Sequence, residues 1–424
     1  MTATKLHRRA ILAGLGTTLT LPGSAVAAPA QPSLQAAIEA ATRAGQPFRL
    51  PLSVKLAGPL QLPDGAHLIG EPGRSRVMLD GAGLRASGLR RLTLEGVTLI
   101  GPGEPTGALA RFNAIEHLDI RDCRFLAAAG NGLELQSCGG RVRDSAFEGI
   151  GRVGLFAQDS RGLTIEGNRV TRCGDNGIQL FRSAKGDDGS IIRANRVSEI
   201  RADSGGSGQY GNGIALFRAG GVIVDGNVIR ACAYSAVRNN GGDNVTISNN
   251  NCAGLGETAL YAEFAFQGVV FSGNTVDGAL AGISIANFRD EGGRLASVSG
   301  NLLRNLVRRP HPATGMPAGG VGIAVEGDVA ITGNTIEKAA LVGLALGWGP
   351  SLRDVSATGN IIRDAATGIT VSVAEGAEGA LIANNLISGA KIAIQGMTWD
   401  KPATGDLTRE TPPPQIKISG NLVR

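Results

Sequence analysis

The chain has 424 residues, of which 64 are glycine, 4% are aromatic and 18% are charged. This apolar and patterned composition excludes an intrinsically disordered protein. The formal charge of +5 comes from 41 basic and 36 acidic residues, and it falls to +2 when the three basic residues of the N-terminal segment are set aside. Because no basic run or stripe then remains, we predict no nucleic-acid partner.

Residues 1–27 have the composition of an export signal. A basic start that contains Arg8 and Arg9 precedes an apolar stretch over about residues 10–21, and "AVA" suits cleavage near Ala27. The arginine pair favours twin-arginine export over an ordinary secretory signal. An uncleaved anchor is disfavoured because the apolar run is shorter than the ~20 residues that span a bilayer. We predict a periplasmic or secreted bacterial protein that engages the twin-arginine translocation machinery and has no stable membrane span.

The segment "PSLQAAIEAATRAG", residues 32–45, is amphipathic at helical spacing. It predicts a cap helix within a 28–46 linker and cap segment, ahead of a repeat domain over residues 47–424. Such a cap would cover the open apolar end of a solenoid.

Five cysteines form an odd set without CxxC spacing, which indicates neither a disulfide framework nor a zinc site. We therefore predict buried thiols, no metal and no cofactor. The cysteines are Cys123, Cys138, Cys173, Cys232 and Cys252.

An asparagine recurs through the chain at spacings of 23 to 36 residues, usually after Gly or Asn. Apolar residues lie three and five positions before it and two after it, an alternation that indicates short strands. A second apolar element such as "NGIQL" or "VGIAV" follows in each unit. The asparagines are Asn168, Asn195, Asn227, Asn250, Asn274, Asn301, Asn334, Asn360, Asn385 and Asn421.

A unit of about 23 residues with three short strands and tight turns is typical of one rung of a parallel β-helix. We predict an all-β fold, a single right-handed parallel β-helix of about thirteen rungs. The repeated asparagines would stack as a structural ladder, and the preceding glycine would permit a positive φ. Leucine-rich repeats are excluded because no unit carries their LxxLxLxxN pattern.

The arginine pair Arg8 and Arg9, the "GN" rungs and the cap helix together resemble the twin-arginine-translocated β-helix repeat proteins. That family lies within the right-handed parallel β-helix, or pectin-lyase-like, superfamily. The resemblance covers nearly the whole chain and implies fold and export. The superfamily mixes lyases, hydrolases, epimerases, adhesins and carbohydrate-binding proteins, so the resemblance leaves function open.

In "GIQL" the apolar Ile178 and Leu180 must point inward, so Gln179 and Phe181 point outward. Applied to every rung, the rule predicts two outward columns in which polar and aromatic residues concentrate centrally. Arg238, Asn240, Tyr261 and Glu263 become neighbours. The first column reads Glu134, Phe156, Gln179, Ala215, Arg238, Tyr261, Ser284, Ala324, Ala345 and Thr370; the second reads Gln136, Gln158, Phe181, Phe217, Asn240, Glu263, Ala286, Glu326, Gly347 and Ser372.

Two rungs are enlarged by the loops "RADSGGSGQYGN" and "VRRPHPATGMPAGG", which precede the next outward strand. Loops of this size on a rigid scaffold often carry function, so we predict that they wall a groove over the central rungs. Aromatic faces with amide and guanidinium donors suit a sugar chain. The predicted substrate-binding residues are Tyr210, Asn212, Asn240, Asn287, Phe288 and Arg289.

The predicted catalytic residues are Arg238, Glu263 and Tyr261, with Glu263 as acid or base, Arg238 as clamp and Tyr261 also as stacking platform. Hydrolysis needs two flanking carboxylates, and Glu263 has no partner on the adjacent rungs of its column. A lyase would need a base and cations that neutralise a uronate. The sequence therefore predicts polysaccharide binding with cleavage left open. The alternatives are a surface ion pair on a non-catalytic structural or protein-binding solenoid of the cell envelope.

Overall fold

The structure is a computed structural model that describes residues 33–103 and 107–424. The export signal predicted for residues 1–27 lies outside the described residues. Strands make up 58% of the chain and wind into a single solenoid of about 14 turns. Each full turn contributes one strand to each of three parallel faces, which confirms the predicted parallel β-helix; the turn count is close to the thirteen expected.

Face 1 carries the strands of the "NGIQL" type. They are Asn131–Gln136, Leu155–Gln158, Ile178–Asp187, Ile214–Gly220, Val237–Asn240, Thr258–Glu263, Ala281–Ala286, Val321–Val325, Val342–Leu346, Thr367–Ser372 and Ile392–Thr398, with Leu60–Gln61 at the start and Lys401–Asp406 antiparallel at the end. The long strands Leu84–Glu95 and Ala108–Arg121 run through both face 1 and face 2.

Face 2 follows face 1 in every turn. Its strands are Phe48–Arg49, His67–Ile69, Gly140–Arg143, Leu163–Glu166, Ile191–Arg193, Ile223–Asp225, Val245–Ser248, Gln267–Ser272, Arg294–Ser299, Gly327–Thr332, Arg353–Thr358, Ala380–Ala383 and Ile416–Ser419.

Face 3 forms a separate sheet of fifteen strands. They are Ser53–Leu56, Arg76–Asp80, Thr98–Gly103, Arg124–Leu126, Ala146–Ile150, Arg169–Cys173, Arg196–Ile200, Val228–Cys232, Asn251–Ala253, Thr275–Ala279, Leu302–Leu306, Thr335–Ala339, Ile361–Arg363, Leu386–Ser388 and Leu422–Val423. Outside the three faces lie a hairpin, Arg308–Pro310 with Pro317–Gly319, and two short 3₁₀ turns, Arg289–Glu291 and Gly349–Ser351.

The alternation predicted for face 1 is confirmed. Ile178 and Leu180 are fully buried, whereas Gln179 and Phe181 are half-buried on the outer side. Ile178 pairs in parallel with Leu155 on one side and Ile214 on the other, so equivalent side chains stack from turn to turn. Burial of these stacked aliphatic columns is the main favourable contribution to the fold.

The asparagine ladder is also confirmed. Asn250, for example, donates from its backbone N–H and its Nδ2 to Oδ1 of Asn274 at 3.0 Å, and Nδ2 also donates to the carbonyl of Val224. The preceding residue has a positive φ throughout the ladder, as in Gly226 at 63°. Each amide thus satisfies backbone groups that burial would otherwise leave unpaired, which is a structural role.

The ends of the coil differ from its middle. The helix Leu34–Arg43 is capped by the Ser33 hydroxyl and buries Ile38, as a cap requires. Near the other end, Lys401–Asp406 folds back on Ile392–Thr398, and Leu407 is buried.

All five cysteines are buried free thiols, as predicted. Among the described residues, no helix combines the length and the apolarity needed to span a membrane.

Candidate functional site

The central turns of face 1 bring Arg238, Asn240, Tyr261 and Glu263 together. Arg238 is the register partner of Tyr261, and Asn240 is the partner of Glu263, on the strands Val237–Asn240 and Thr258–Glu263. All four point outward because Val237, Asn239, Leu260 and Ala262 alternate with them and are buried. The predicted neighbourhood of these side chains is therefore confirmed.

Arg238 is held on three sides. Its Nε and Nη2 donate to the two carboxylate oxygens of Glu263 at 2.7 and 2.8 Å, and Nη1 donates to Oε2 of Glu257 at 3.0 Å. The guanidinium carbon lies 4.6 Å from the ring centroid of Tyr261, a cation–π distance. Burial opposes the charge of Arg238, but the bonds and charge of Glu263, with the charge of Glu257, raise its pKa. Arg238 is therefore a fixed cation with two N–H groups outside these bonds.

Glu263 has little freedom to act on a ligand. Its side chain is 7% exposed and accepts from Arg238 twice and from Nδ2 of Asn240 at 3.0 Å. The sequence allowed an exposed Arg238–Glu263 ion pair as the alternative to a catalytic pair. The structure shows the pair buried, in a bidentate geometry that is much harder to break than a surface pair.

Glu257 and His311 complete the cluster and were missed from the sequence. Oε1 of Glu257 lies 3.2 Å from Nε2 of His311. Burial raises the pKa of Glu257, although the charge of Arg238 and the bond to His311 act in the opposite direction. Glu257 lies in the turn before its strand, outside the alternating columns, and His311 comes from a distant loop. The sequence signal for His311 was its place in the second enlarged loop, whereas Glu257 stood out only as a charged residue in the turn "GLGE".

Both enlarged loops reach this cluster, as the sequence predicted. In the first loop the carbonyl of Gly206 accepts from the Tyr234 hydroxyl at 3.0 Å, and Gly208 lies directly against Arg238. A Cβ at Gly208, which has φ of 127°, would overlap Nη1 of that arginine. The second loop is the hairpin that supplies His311, whose ring meets Tyr234 edge-on at 6.5 Å. The loops therefore fix the cluster from opposite sides.

A cleft of about 210 Å³ opens beside Arg238 and is walled by the first loop. Phe181 and Phe217 stack along one wall with ring centroids 4.8 Å apart, and Tyr210 contributes the opposite wall. Polar groups come from Gln179, Asn240 and Arg238. Tyr210, Tyr234 and Tyr261 are all the tyrosines of the chain, and each of them lies in the cluster or the cleft.

Four of the predicted substrate-binding residues do not present a free side chain in this cleft. Asn212 is one of the residues that line the cleft, but it is fully buried, with Nδ2 bonded to Asn176 and to the carbonyl of Gly208. Asn287 is fully buried and bonded to the backbone of Gly327. Both amides make hydrogen bonds within the fold, so a direct contact of Asn212 or Asn287 with a ligand stays a prediction.

Phe288 and Arg289 follow Asn287 in the turn after Ala281–Ala286. Phe288 is half-buried there, and it is not among the residues that line the cleft. Arg289 donates to a Glu378 carboxylate oxygen at 2.5 Å and to the carbonyl of Pro350 at 3.2 Å. That arginine is therefore engaged with later turns of the coil, away from Arg238, and the structure does not bring it into the cluster.

Within residues 33–103 and 107–424, no group of three or more His, Cys, Asp or Glu side chains is arranged as a metal site.

Burial raises the pKa of Tyr261, and the negative charge of Glu263 adds to the effect. The Tyr261 hydroxyl is therefore neutral at ordinary pH, which makes its ring a stacking or hydrogen-bonding surface and a poor base.

The fold defines a parallel β-helix repeat protein. A family model described as "Right handed beta helix region" matches residues 92–208 and 131–303, which together span half of the chain. The chain therefore belongs to this family. No curated protein matches its sequence.

Similar solved structures share the fold alone. Pre-mature bacteriophage phi29 gene product 12 is 14% identical with a TM-score of 0.48, over 85% of this chain and 66% of that one. The catalytic domain of a GH87 alpha-1,3-glucanase in complex with nigerose is 14% identical with a TM-score of 0.45, over 96% and 70%. Bacteriophage CBA120 tailspike protein 3 is 13% identical with a TM-score of 0.47, over 90% and 61%. This chain thus spans about two thirds of the length of these two phage proteins.

Proposed function

We propose that the cleft between Tyr210 and the Phe181–Phe217 stack binds one segment of a neutral glycan. The observation that carries the proposal is an aromatic-walled cleft of about 210 Å³ whose polar lining combines amide side chains with an immobilised guanidinium. Sugar rings present apolar faces to aromatic side chains and hydroxyls to planar donors and acceptors. Phe181, Phe217 and Arg238 lie on rigid strands and, of these side chains, only Tyr210 lies on the covering loop, which keeps the entropic cost of binding low.

The charge of the cluster favours a neutral ligand over an acidic one. Arg238 is bonded to both oxygens of Glu263 and to Glu257, so its positive charge is balanced within the protein. This balance persists when Glu257 is protonated, because Glu263 alone compensates the guanidinium. A uronate carboxylate at the cleft would meet Glu263 as a like charge, which is unfavourable in a partly dehydrated site.

The geometry supports binding better than cleavage. Glycoside hydrolysis needs one carboxyl that gives a proton and one carboxylate that faces the sugar or a water. Glu263 accepts three hydrogen bonds from the protein, and Glu257 is only 8% exposed beneath the hairpin. In this proposal both carboxylates fix Arg238, and Arg238 and Tyr210 contact the glycan.

The test is isothermal titration of the mature protein with a panel of neutral and uronate-rich oligosaccharides, with product analysis of the same samples. We expect saturable binding of a neutral oligosaccharide and about tenfold weaker binding by the Tyr210→Ala variant, since stacking on one ring is lost. The matched control is Trp348→Ala, which removes an exposed aromatic side chain far along the coil. If new reducing ends or an unsaturated product form, the function is cleavage of the glycan and not binding alone. Absence of binding to every glycan would favour the structural or protein-binding solenoid of the envelope.

We further propose that the protein is exported through the twin-arginine route to the periplasm or beyond. The support is Arg8 and Arg9 ahead of an apolar run and a small-residue cleavage site. Replacing both arginines with lysine keeps the positive charge of the segment. We expect the variant to stay in the cytoplasm at full length, whereas unchanged export would point to the general secretory route.

A further inference from the structure

A groove runs along face 2 in the first turns of the coil. Two hollows of about 260 and 380 Å³ meet there and share Arg91, Thr93 and Asp119, so they form one continuous depression. We call it the N-terminal groove. Its principal side chains are His67, Arg91, Thr93, His117, Asp119 and Arg141.

The register explains why these side chains share one surface. His67 pairs with Thr93, Thr93 with Asp119, and Asp119 with Arg141, so one outward row crosses four turns. Arg91 and His117 pair in the row beside it.

Gly140 lies on the last turn of the groove and lets its strand approach the previous turn closely, because a Cβ at this position would overlap the carbonyl of Leu118. Only glycine tolerates that approach, at a φ of 120°. Gly140, His117 and Arg141 line the same hollow, and the side chains of His117 and Arg141 are exposed there.

The groove carries an excess of positive charge. Arg91, His117 and Arg141 have no ion-pair partner among residues 33–103 and 107–424. Two acidic residues nearby face Arg121, which bonds to Oδ2 of Asp119 at 2.5 Å and to Glu95 at 2.6 Å. Oδ1 of Asp119 accepts no hydrogen bond among the described residues and lies 3.7 Å from Nε of Arg143. The bond from Arg121 lowers the pKa of Glu95, so that carboxylate stays charged and paired. Two arginines are thus available for an anionic ligand, and His117 adds a third donor.

We propose that the N-terminal groove binds the carboxylate or sulfate groups of an acidic glycan that runs along the coil axis. Successive turns place donors at the strand spacing of about 4.8 Å, which suits a polymer with regularly repeated charges. Guanidinium groups bind such anions through paired hydrogen bonds. No Phe, Tyr or Trp lines the groove, so it lacks the stacking platform that single-stranded nucleic acid uses. This site is separate from the cleft at Arg238.

The test is isothermal titration at low salt with a polygalacturonate oligosaccharide of defined length and with its fully methyl-esterified form. We expect the charged oligosaccharide to bind and the esterified one to fail. Binding should weaken as salt is added. The Arg91→Gln, Arg141→Gln double variant should bind about tenfold more weakly or worse, because it loses two charge-assisted contacts.

The matched control is the Arg363→Gln, Lys417→Gln double variant, which removes the same charge from exposed positions on later turns. Equal losses in the two double variants would overturn the proposal, because net charge alone would then explain binding. Saturation by inorganic sulfate at the same concentration would also overturn it, as would tighter binding of a single-stranded DNA of equal charge. Unchanged binding by Tyr210→Ala would show that the cleft is not the site being measured.

Discussion

The turns of Arg238 and Tyr261 and the turns of Ala324 and Ala345 share one backbone but differ in their outward side chains. Both pairs occupy the same column of face 1, in register with each other through Ser284. Their inward neighbours are equally buried, and all of them are aliphatic except Asn239. In the central turns the outward side chains form an ion cluster that two loops cover, whereas in the later turns the outward side chains are small. The inward columns therefore specify the coil, whereas the outward column can vary without changing it.

The largest expected effect comes from breaking the central cluster itself. Arg238→Ala leaves Glu257 and Glu263 buried without their cation, so we expect unfolding to become easier by about 3 to 5 kcal/mol. Chemical denaturation followed by circular dichroism measures the change. Ser284→Ala, in the same column, should lie within about 0.5 kcal/mol of the parent because it removes only a surface hydroxyl. Equal effects of the two substitutions would mean that the central cluster contributes no more than ordinary surface.

A second expected effect compares the middle of the ladder with its end. Asn274→Ala leaves the backbone N–H of Asn250 and the carbonyl of Ile247 without their partner, both in buried surroundings. We expect a loss of about 2 kcal/mol, in the range for unsatisfied buried groups. Asn421→Ala removes the last, partly exposed asparagine, so water can replace its bonds and the loss should be smaller. Thermal unfolding of both variants under the same conditions ranks them, and the reverse order would contradict the ladder's role.

A third expected effect separates the covering loop from the strands. In Gly208→Ala the new Cβ would collide with Arg238, and the alanine would have to adopt a φ that is unfavourable for it. We therefore expect about 1 to 2 kcal/mol of destabilisation and weaker glycan binding in the cleft. Gly186→Ala is the control in the same enlarged turn, because a Cβ there meets nothing within 4 Å and the φ is not left-handed. If both variants bind glycan like the parent, the loop does not shape the site.

The smallest expected effect is the titration of Glu257. Burial raises its pKa above the ordinary value of 4.5. Between these two pKa values, the carboxyl keeps its proton in the folded state and has lost it in the unfolded state. Its contribution to stability is therefore present below pH of about 4.5 and is lost as pH rises through the raised pKa. Compared with Glu257→Gln, which does not titrate, the parent should lose stability as pH rises from that value. Parallel stability curves for the two proteins between acid and neutral pH would contradict the raised pKa.

The sequence by itself determined the coil. Its asparagine spacing and apolar alternation predicted the three faces, the ladder, the buried cysteines and the partners of Arg238 and Asn240 in the next turn. These features are periodic, and a period of two along a strand decides which side chains share a face. That is why the sequence alone could place Arg238, Tyr261 and Glu263 together.

The hydrogen-bond and ion-pair partners of those side chains could be known only from the tertiary structure. Glu257 and His311 are 54 residues apart and lie outside the periodic columns, so no spacing linked them. From the sequence, Asn212 and Asn287 are expected to be exposed polar residues, yet their side-chain amides accept from buried backbone N–H groups of neighbouring turns. The N-terminal groove likewise depends on the close approach of Gly140 to Leu118 beside His117 and Arg141. Loop paths and hydrogen-bond partners depend on packing between distant segments, and that packing has no period for the sequence to display.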